Sequence, residues 1–138
     1  MAASTLLLLD PTYDDGESAL ELLDDTDQHV IALVLLSGPA ARSLRDFARC
    51  EDIDMATAGW QYLEQVADRL QLAPDRLLAM TAIGPSAATE LADIAAANSV
   101  HRVLLPSSVQ RYEPGLAELL AQCVHVPVLV APQFVGVA

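Results

Sequence analysis

Short apolar runs separated by segments with helical spacing are the feature that most limits how this chain can fold. Leu6–Leu9 is apolar at every position, and so is nearly all of residues 29–36 (HVIALVLL), which Ser37 and Gly38 then interrupt. Continuous apolar strands of this kind are typical of parallel sheets that are covered on both faces. Because strands and helices alternate, we predict one α/β domain over residues 1–138, a three-layer sandwich with helices on both faces of a parallel sheet.

The other elements are predicted from apolar periodicity and from start and stop signals. Gly84-Pro85-Ser86 should begin a helix, with the proline in its first turn and the serine as its cap, and Asn98 should end it. Leu44, Phe47 and Ala48 share one helical face and are expected to face the core together. The predicted helices span about residues 17–23, 40–50, 55–70, 86–98 and 115–123, and the remaining predicted strands span 76–82, 101–105 and 127–131.

The charge of the chain excludes several kinds of partner. Nineteen acidic residues face seven basic ones, all arginine, which gives a net charge of −12. Such a surface repels nucleic acid and anionic membranes, so we expect neither as a partner. No apolar run is long enough to span a bilayer and no basic segment precedes Leu6–Leu9, so we expect a cytoplasmic protein. The acidic, lysine-free composition fits either adaptation to high salt or a GC-rich genome.

Catalytic and metal-binding patterns are not evident in the sequence. Cys50 and Cys123 lack metal-ligand spacing and are expected to be reduced and structural. The acidic run 24–27 lacks the glycine and the closing glutamate of a calcium loop. Ser37 has no glycine on its amino side, so it does not form a nucleophile elbow. No Ser, Cys or Asp stands at catalytic spacing from any histidine, and we therefore expect no enzyme, no metal and no cofactor; the histidines are His29, His101 and His125.

In its order of motifs the chain resembles the universal stress protein family. The matching pieces are a first strand ending in Leu9-Asp10, the Gly84-Pro85-Ser86 turn, an apolar strand ending at Leu105, and the closing segment 125–132 (HVPVLVAP). The resemblance covers nearly the whole chain. It implies a five-stranded parallel sheet of order 3-2-1-4-5, and homodimers commonly joined through the fifth strands.

The family's ATP motif, however, is missing from this sequence. Many members bind ATP through the pattern G-x2-G-x9-G, followed by Ser or Thr, after the fourth strand. Here Pro106 and Val109 stand at the first two glycine positions, and far fewer than nine residues lead to Pro114-Gly115. Proline has no N–H to offer phosphate, and a β-branched valine resists the left-handed backbone such loops need. We therefore predict that ATP is not bound.

Part of a nucleotide site is nevertheless suggested by the resemblance. Asp10 matches the aspartate beside the ribose and adenine in ATP-binding members, and Leu35 matches the second-strand position whose backbone meets the base. Ser107 and Ser108 could offer hydroxyls to an anion, although serine is also common in ordinary turns. Asp10 could equally cap the neighbouring turn at the carboxyl edge of the sheet, where open α/β sheets bind ligands.

Two functions follow as hypotheses. The first is a non-enzymatic protein, similar to universal stress proteins, that acts as a dimer in stress response or regulation through an unknown protein partner. The alternative is a sensor that binds AMP, adenosine or ATP through Asp10, Leu35 and Ser107. A hydrolase would further need a metal-binding carboxylate beside a phosphate cradle.

The fifth strand is the predicted dimer interface. It is apolar, carries no charge, and lies at a sheet edge in the implied order, where an uncovered strand invites pairing with another chain. Val126, Val128 and Val130 are the predicted contact residues, and Pro127 removes one backbone donor near the start of the strand. We expect residues 133–138 to lie across the partner.

Overall fold

A computed structural model describes residues 4–11, 17–24 and 28–131 of this chain. Within these residues, five parallel strands form one sheet of order β3-β2-β1-β4-β5, which confirms the predicted fold. Residues 25–27 of the acidic run lie outside the described residues, and so does the whole tail 133–138 that was predicted to lie across a partner. The strands are β1 Ser4–Leu9, β2 His29–Leu35, β3 Leu77–Ala82, β4 Arg102–Leu105 and β5 Val128–Val130, and the helices are α1 Arg42–Glu51, α2 Met55–Leu70, α3 Ala87–Ala97, α4 Val109–Tyr112 and α5 Leu116–Cys123.

The first strand lies at the centre of the sheet and is covered on both faces. Leu6 and Leu8 pack into the core on the side of α3, α4 and α5. Leu7 and Leu9 pack into a second core on the side of α1 and α2. Side chains of a strand alternate between the two faces of a sheet, so a strand buried on both faces must be apolar at every position. The run of leucines is the direct result.

Helix ends follow the predicted signals with one difference. Ser86 is the N-cap of α3 and accepts a hydrogen bond from the N–H of Thr89 over 3.4 Å. Asn98 is the C-cap of the same helix. Pro85 lies just before the cap and is therefore not in the first turn as predicted. At α2, Asp54 accepts the N–H of Thr57 at 2.7 Å. A side-chain acceptor at this position satisfies one of the amides that a helix start leaves without an intrahelical partner.

Gly59 allows α2 to approach the sheet closely. A Cβ at this position would lie 2.8 Å from Leu36 Cδ2 and 3.2 Å from Thr81 Cγ2, both closer than ordinary contact. Gly59 is buried, and it belongs to the apolar face that the spacing of Leu63 and Val66 predicts. Here glycine is required for close packing and not for a turn.

Three local predictions need correction. The first connection contains only a short 3-10 turn, Ser18–Leu22, where a helix over 17–23 was expected. The segment after β4 contains the one-turn helix α4, where no helix was predicted. Phe47 does not join Leu44 in the core, since 42% of its surface is exposed.

The surface features of the described residues are simple. Cys50 and Cys123 were predicted to be reduced and structural, and in the structure both are free and exposed. Among the described helices, none combines the length and the apolar character that crossing a membrane requires.

Candidate functional site

The carboxyl edge of the sheet is organised around Asp10, the residue that follows β1. Asp10 has no solvent-exposed surface. Its Oδ2 atom accepts a hydrogen bond from the Ser108 hydroxyl over 2.9 Å, and Ser108 is likewise fully buried. Because β1 and β4 are neighbours in the sheet, residues that follow them in the chain meet at this edge. The carboxylate therefore points into the protein and already has a partner there.

The segment that would hold phosphate uses its own amides instead. The N–H of Ser107 donates to the Ser18 hydroxyl over 2.8 Å, and the two hydroxyls lie 3.1 Å apart. The amides of residues 109–112 donate to carbonyls of residues 106–108 over 2.9–3.2 Å, as the turn enters α4. Phosphate loops bind their ligand with backbone N–H groups that point outward. In this segment those N–H groups serve the fold of the chain.

Leu35 lies near Asp10 in the sheet but lines a different cavity. Leu9 pairs with Val34, so Asp10 and Leu35 follow at the ends of neighbouring strands. Leu35 borders a cavity of about 40 Å³, whereas pockets for small-molecule ligands measure about 300–1,000 Å³. Glu90 and Glu113 also line this cavity, and burial raises the pKa of the Glu113 carboxyl. A space of this size with two acidic side chains does not accommodate a nucleotide base with phosphates.

A larger cleft lies on the other face of the sheet. It has a volume of about 370 Å³ and opens between α1, α2 and the residues that follow β1. We call it the α1–α2 cleft. Asp10 borders the cleft but has no solvent-exposed surface. The cleft is lined by Asp10, Pro11, Glu17, Ser43, Leu44, Phe47, Ala58, Gln61, Tyr62 and Gln65.

A cluster of three polar side chains fixes one wall of the α1–α2 cleft. Arg69 forms a two-pronged salt bridge with Glu17, with N···O distances of 2.6 and 2.7 Å. The Tyr62 hydroxyl donates to Glu17 Oε1 over 2.7 Å. The hydrogen bonds from Arg69, followed by that from Tyr62, hold the pKa of Glu17 below its ordinary value against the opposing effect of burial. Burial, and then the adjacent Glu17 carboxylate, raise the pKa of Tyr62 far above its usual range.

The structure brings together some of the predicted site residues and separates others. Asp10 and Ser107 lie at one edge, where Ser108 and Ser18 contact them directly. Leu35 is on a neighbouring strand but lines a separate cavity. Their role in nucleotide binding stays a prediction. Sequence reasoning missed the α1–α2 cleft, because its lining residues are scattered over three segments that only the fold brings together.

The predicted interface residues lie on the edge strand β5. Val126, Val128 and Val130 are half-buried against the core beneath α3 and α5. Leu129 points the opposite way, with 40% of its surface exposed. Sequence reasoning did not single out Leu129, although the alternation of strand side chains gives it the other face.

The backbone of β5 also has two sides. The Pro127 carbonyl accepts from Val103 N–H, and Ala131 N–H donates to the Leu105 carbonyl. Odd-numbered residues of the strand thus direct their backbone groups toward β4. The even-numbered Val128 and Val130 direct theirs toward the free edge, as strand geometry requires. The N–H that Pro127 lacks would have faced β4, so the proline costs the free edge nothing.

Within residues 4–11, 17–24 and 28–131, no group of three or more His, Cys, Asp or Glu side chains lies close enough together to hold a metal ion.

Comparison with solved structures places the fold. Hypothetical protein MJ0577, the subject of a structure-based assignment of biochemical function, superposes with a TM-score of 0.70 at 17% identity, over 99% of each chain. Hypothetical protein PH0823 superposes with a TM-score of 0.67 at 15% identity, over the full length of both chains. No family model matches the sequence, and no curated protein matches it significantly. With strand order 3-2-1-4-5, the chain has the fold that its resemblance to universal stress proteins implied.

Proposed function

We propose that this protein is a non-enzymatic, cytoplasmic relative of universal stress proteins that acts as a homodimer in stress response or regulation and does not bind ATP. The observation that carries the proposal is the buried hydrogen bond between Ser108 and Asp10. A ribose hydroxyl that bonded Oδ2 of Asp10 would have to displace the Ser108 hydroxyl. Breaking a hydrogen bond to a buried charged group costs about 1.5–3 kcal/mol, which a ligand would have to supply.

Charge and backbone geometry support the same proposal. The amides of residues 109–112 donate within the chain and are not free to bind phosphate. The chain contains no lysine, and its net charge of −12 opposes the approach of a tetra-anion. Recognition by a second copy or another protein requires only a surface, and the edge strand β5 provides one.

Calorimetric titration with Mg-ATP tests the ATP part of the proposal. We expect no heat of binding at micromolar ATP. The informative control is the same titration on Ser108→Gly, in which Asp10 loses the Ser108 hydroxyl and the backbone gains conformational freedom. A low-micromolar isotherm for the wild-type protein would overturn the proposal, whichever way the variant behaves.

A second candidate function is an adenine-nucleotide sensor that uses Asp10, Leu35 and Ser107. One observation favours it: Asp10 and Leu35 end neighbouring strands at the carboxyl edge, where this class of fold binds ligands. On this hypothesis adenosine and AMP bind, since they need little of the missing phosphate site. Asp10→Asn, which keeps the size of the side chain and an acceptor for Ser108, should then abolish the binding. Equal adenosine binding by wild type and Asp10→Asn would exclude a role of the carboxylate.

A further inference from the structure

We propose that the α1–α2 cleft binds a small aromatic molecule that is neutral or positively charged and carries no phosphate. The cleft shares Asp10 with the degenerate nucleotide site but extends between α1 and α2, and the inference does not rest on the proposed function. Its volume of about 370 Å³ falls within the range of ligand pockets, about 300–1,000 Å³.

The aromatic character of the ligand follows from the walls of the cleft. The chain has only six aromatic residues, and two of them, Phe47 and Tyr62, line this one space. Phe47 belongs to α1, yet 42% of its surface is exposed although the adjacent Leu44 is buried. A flat aromatic ligand would cover this ring, and aromatic pairs stabilise one another beyond the burial of area alone. The exposed ring is thus the surface that ligand binding would bury.

The charge preference follows from the polar side chains of the cleft. Among the described residues that line the cleft, the charged ones are the acids Asp10 and Glu17, and Gln61 and Gln65 add neutral amides. Glu17 accepts three hydrogen bonds, from Tyr62 and from both prongs of Arg69. A carboxylate offers about four acceptor positions, so one remains for a donor on the ligand. The lining therefore favours N–H donors and disfavours carboxylate or phosphate groups.

Asp10 is the one residue that the described lining of the cleft shares with the candidate nucleotide site. None of its lining residues belongs to the segment 106–115 or to the cavity beside Leu35. Gln61 and Gln65 are one turn apart on α2, and Ser43 and Phe47 are one turn apart on α1, so each wall is a regular helix face. Walls of this kind hold their shape better than loops do, which is what a preformed ligand site requires.

Three probes of matched shape and different charge test the proposal: benzamidine, benzamide and benzoate. We expect benzamidine and benzamide to shift the backbone amide signals of residues 43–47 and 58–65 in two-dimensional NMR spectra of the full chain. Benzoate should bind about tenfold more weakly than benzamidine, or not at all, because the lining is acidic. Equal binding of benzoate, no shift in these two helices, or shifts confined to residues 106–115 would overturn the proposal.

Two variants identify the groups that act. Phe47→Ala removes the exposed ring and should weaken both binding probes about tenfold. The matched control is Trp60→Ala, since Trp60 is 44% exposed on α2 but does not line the cleft. This variant should bind benzamidine and benzamide as tightly as wild type does. Gln61→Glu adds a negative charge to the lining without changing its size, and it should raise affinity for benzamidine relative to benzamide. The ratio of benzamidine affinity to benzamide affinity tests the proposal even if Phe47→Ala fails to fold. If Gln61→Glu leaves this ratio unchanged, the proposal is contradicted.

Discussion

The Ser108 hydroxyl donates to Asp10 Oδ2 over 2.9 Å, between two residues 98 positions apart that are both excluded from solvent. This bond joins the ends of β1 and β4, the two strands on either side of the point where the order of the sheet reverses. In open α/β sheets that crevice is the usual place for a ligand. In this protein the Ser108 hydroxyl bonds Oδ2 of Asp10 at that crevice.

The first prediction is that Ser108→Ala destabilises the protein by about 1–3 kcal/mol, because a buried carboxylate loses a hydrogen-bond donor. Urea unfolding followed by circular dichroism measures the change. A double-mutant cycle with Asp10→Asn isolates the contribution of the pair, and the two changes should be less than additive. An unchanged unfolding midpoint for Ser108→Ala would mean that this hydrogen bond contributes nothing to the stability of the folded protein.

Much of this fold could be predicted because its strands are buried on both faces. Leu6–Leu9 and residues 30–35 of the second strand are apolar at every position because both faces are covered, and such runs are visible without any structure. The start of α3 was also predictable, since the Ser86 cap depends only on neighbouring residues. Local physical constraints of this kind leave a local signal in the sequence.

The site could not be predicted in the same way. Nothing in the local sequence indicates that Ser108 meets Asp10, because the contact depends on β4 lying beside β1. Phe47 shares a helical face with Leu44, but the space above it depends on where α2 and Glu17 lie. Periodicity identifies which face of a helix is apolar, and only the packing of several segments decides whether that face is covered.

The second prediction concerns the pH dependence of the Glu17–Arg69 salt bridge. Arg69 lowers the pKa of Glu17 in the folded protein, so the bridge stabilises the protein above the unfolded-state pKa of glutamate, about 4.3, and this stabilisation is lost as the pH falls through the lower folded-state pKa. Arg69→Met should therefore cost up to about 1 kcal/mol near neutral pH, a modest value because Arg69 is half exposed. The difference from wild type should disappear in acid. Urea unfolding at a series of pH values measures it.

The control for the salt bridge is Arg49→Met, which removes an exposed arginine of α1 with the same change in net charge. Its effect on stability should be small and should not follow the titration of one carboxyl group. A constant difference between wild type and Arg69→Met over the acid range would contradict the role given to Glu17.

The third prediction is that Gly59→Val destabilises the protein by about 1–3 kcal/mol. A side chain there meets Leu36 and Thr81, and overpacking of a filled core has a cost of this size. On an exposed helix face, replacing glycine would instead tend to stabilise the protein, since glycine in a helix is about 1 kcal/mol less favourable than alanine. Thermal and urea unfolding measure the change, with Ala56→Val on the exposed side of α2 as the control. A stabilised Gly59→Val would show that α2 can move away from the sheet.

The fourth prediction concerns the proposed dimer through β5. Val128 and Val130 direct their backbone groups to the free edge while their side chains pack against the core of their own chain, so charges placed on those two residues would damage the fold as well. Leu129 is the better site, because 40% of its surface is exposed. Leu129→Asp should yield a folded monomer, whereas wild type should be a dimer at tens of micromolar by light scattering.

Leu78→Asp is the matched control, since Leu78 is 50% exposed on β3 at the opposite edge of the sheet, and it should leave the dimer intact. A monomeric wild type, or a dimer that Leu78→Asp disrupts and Leu129→Asp does not, would place the interface elsewhere.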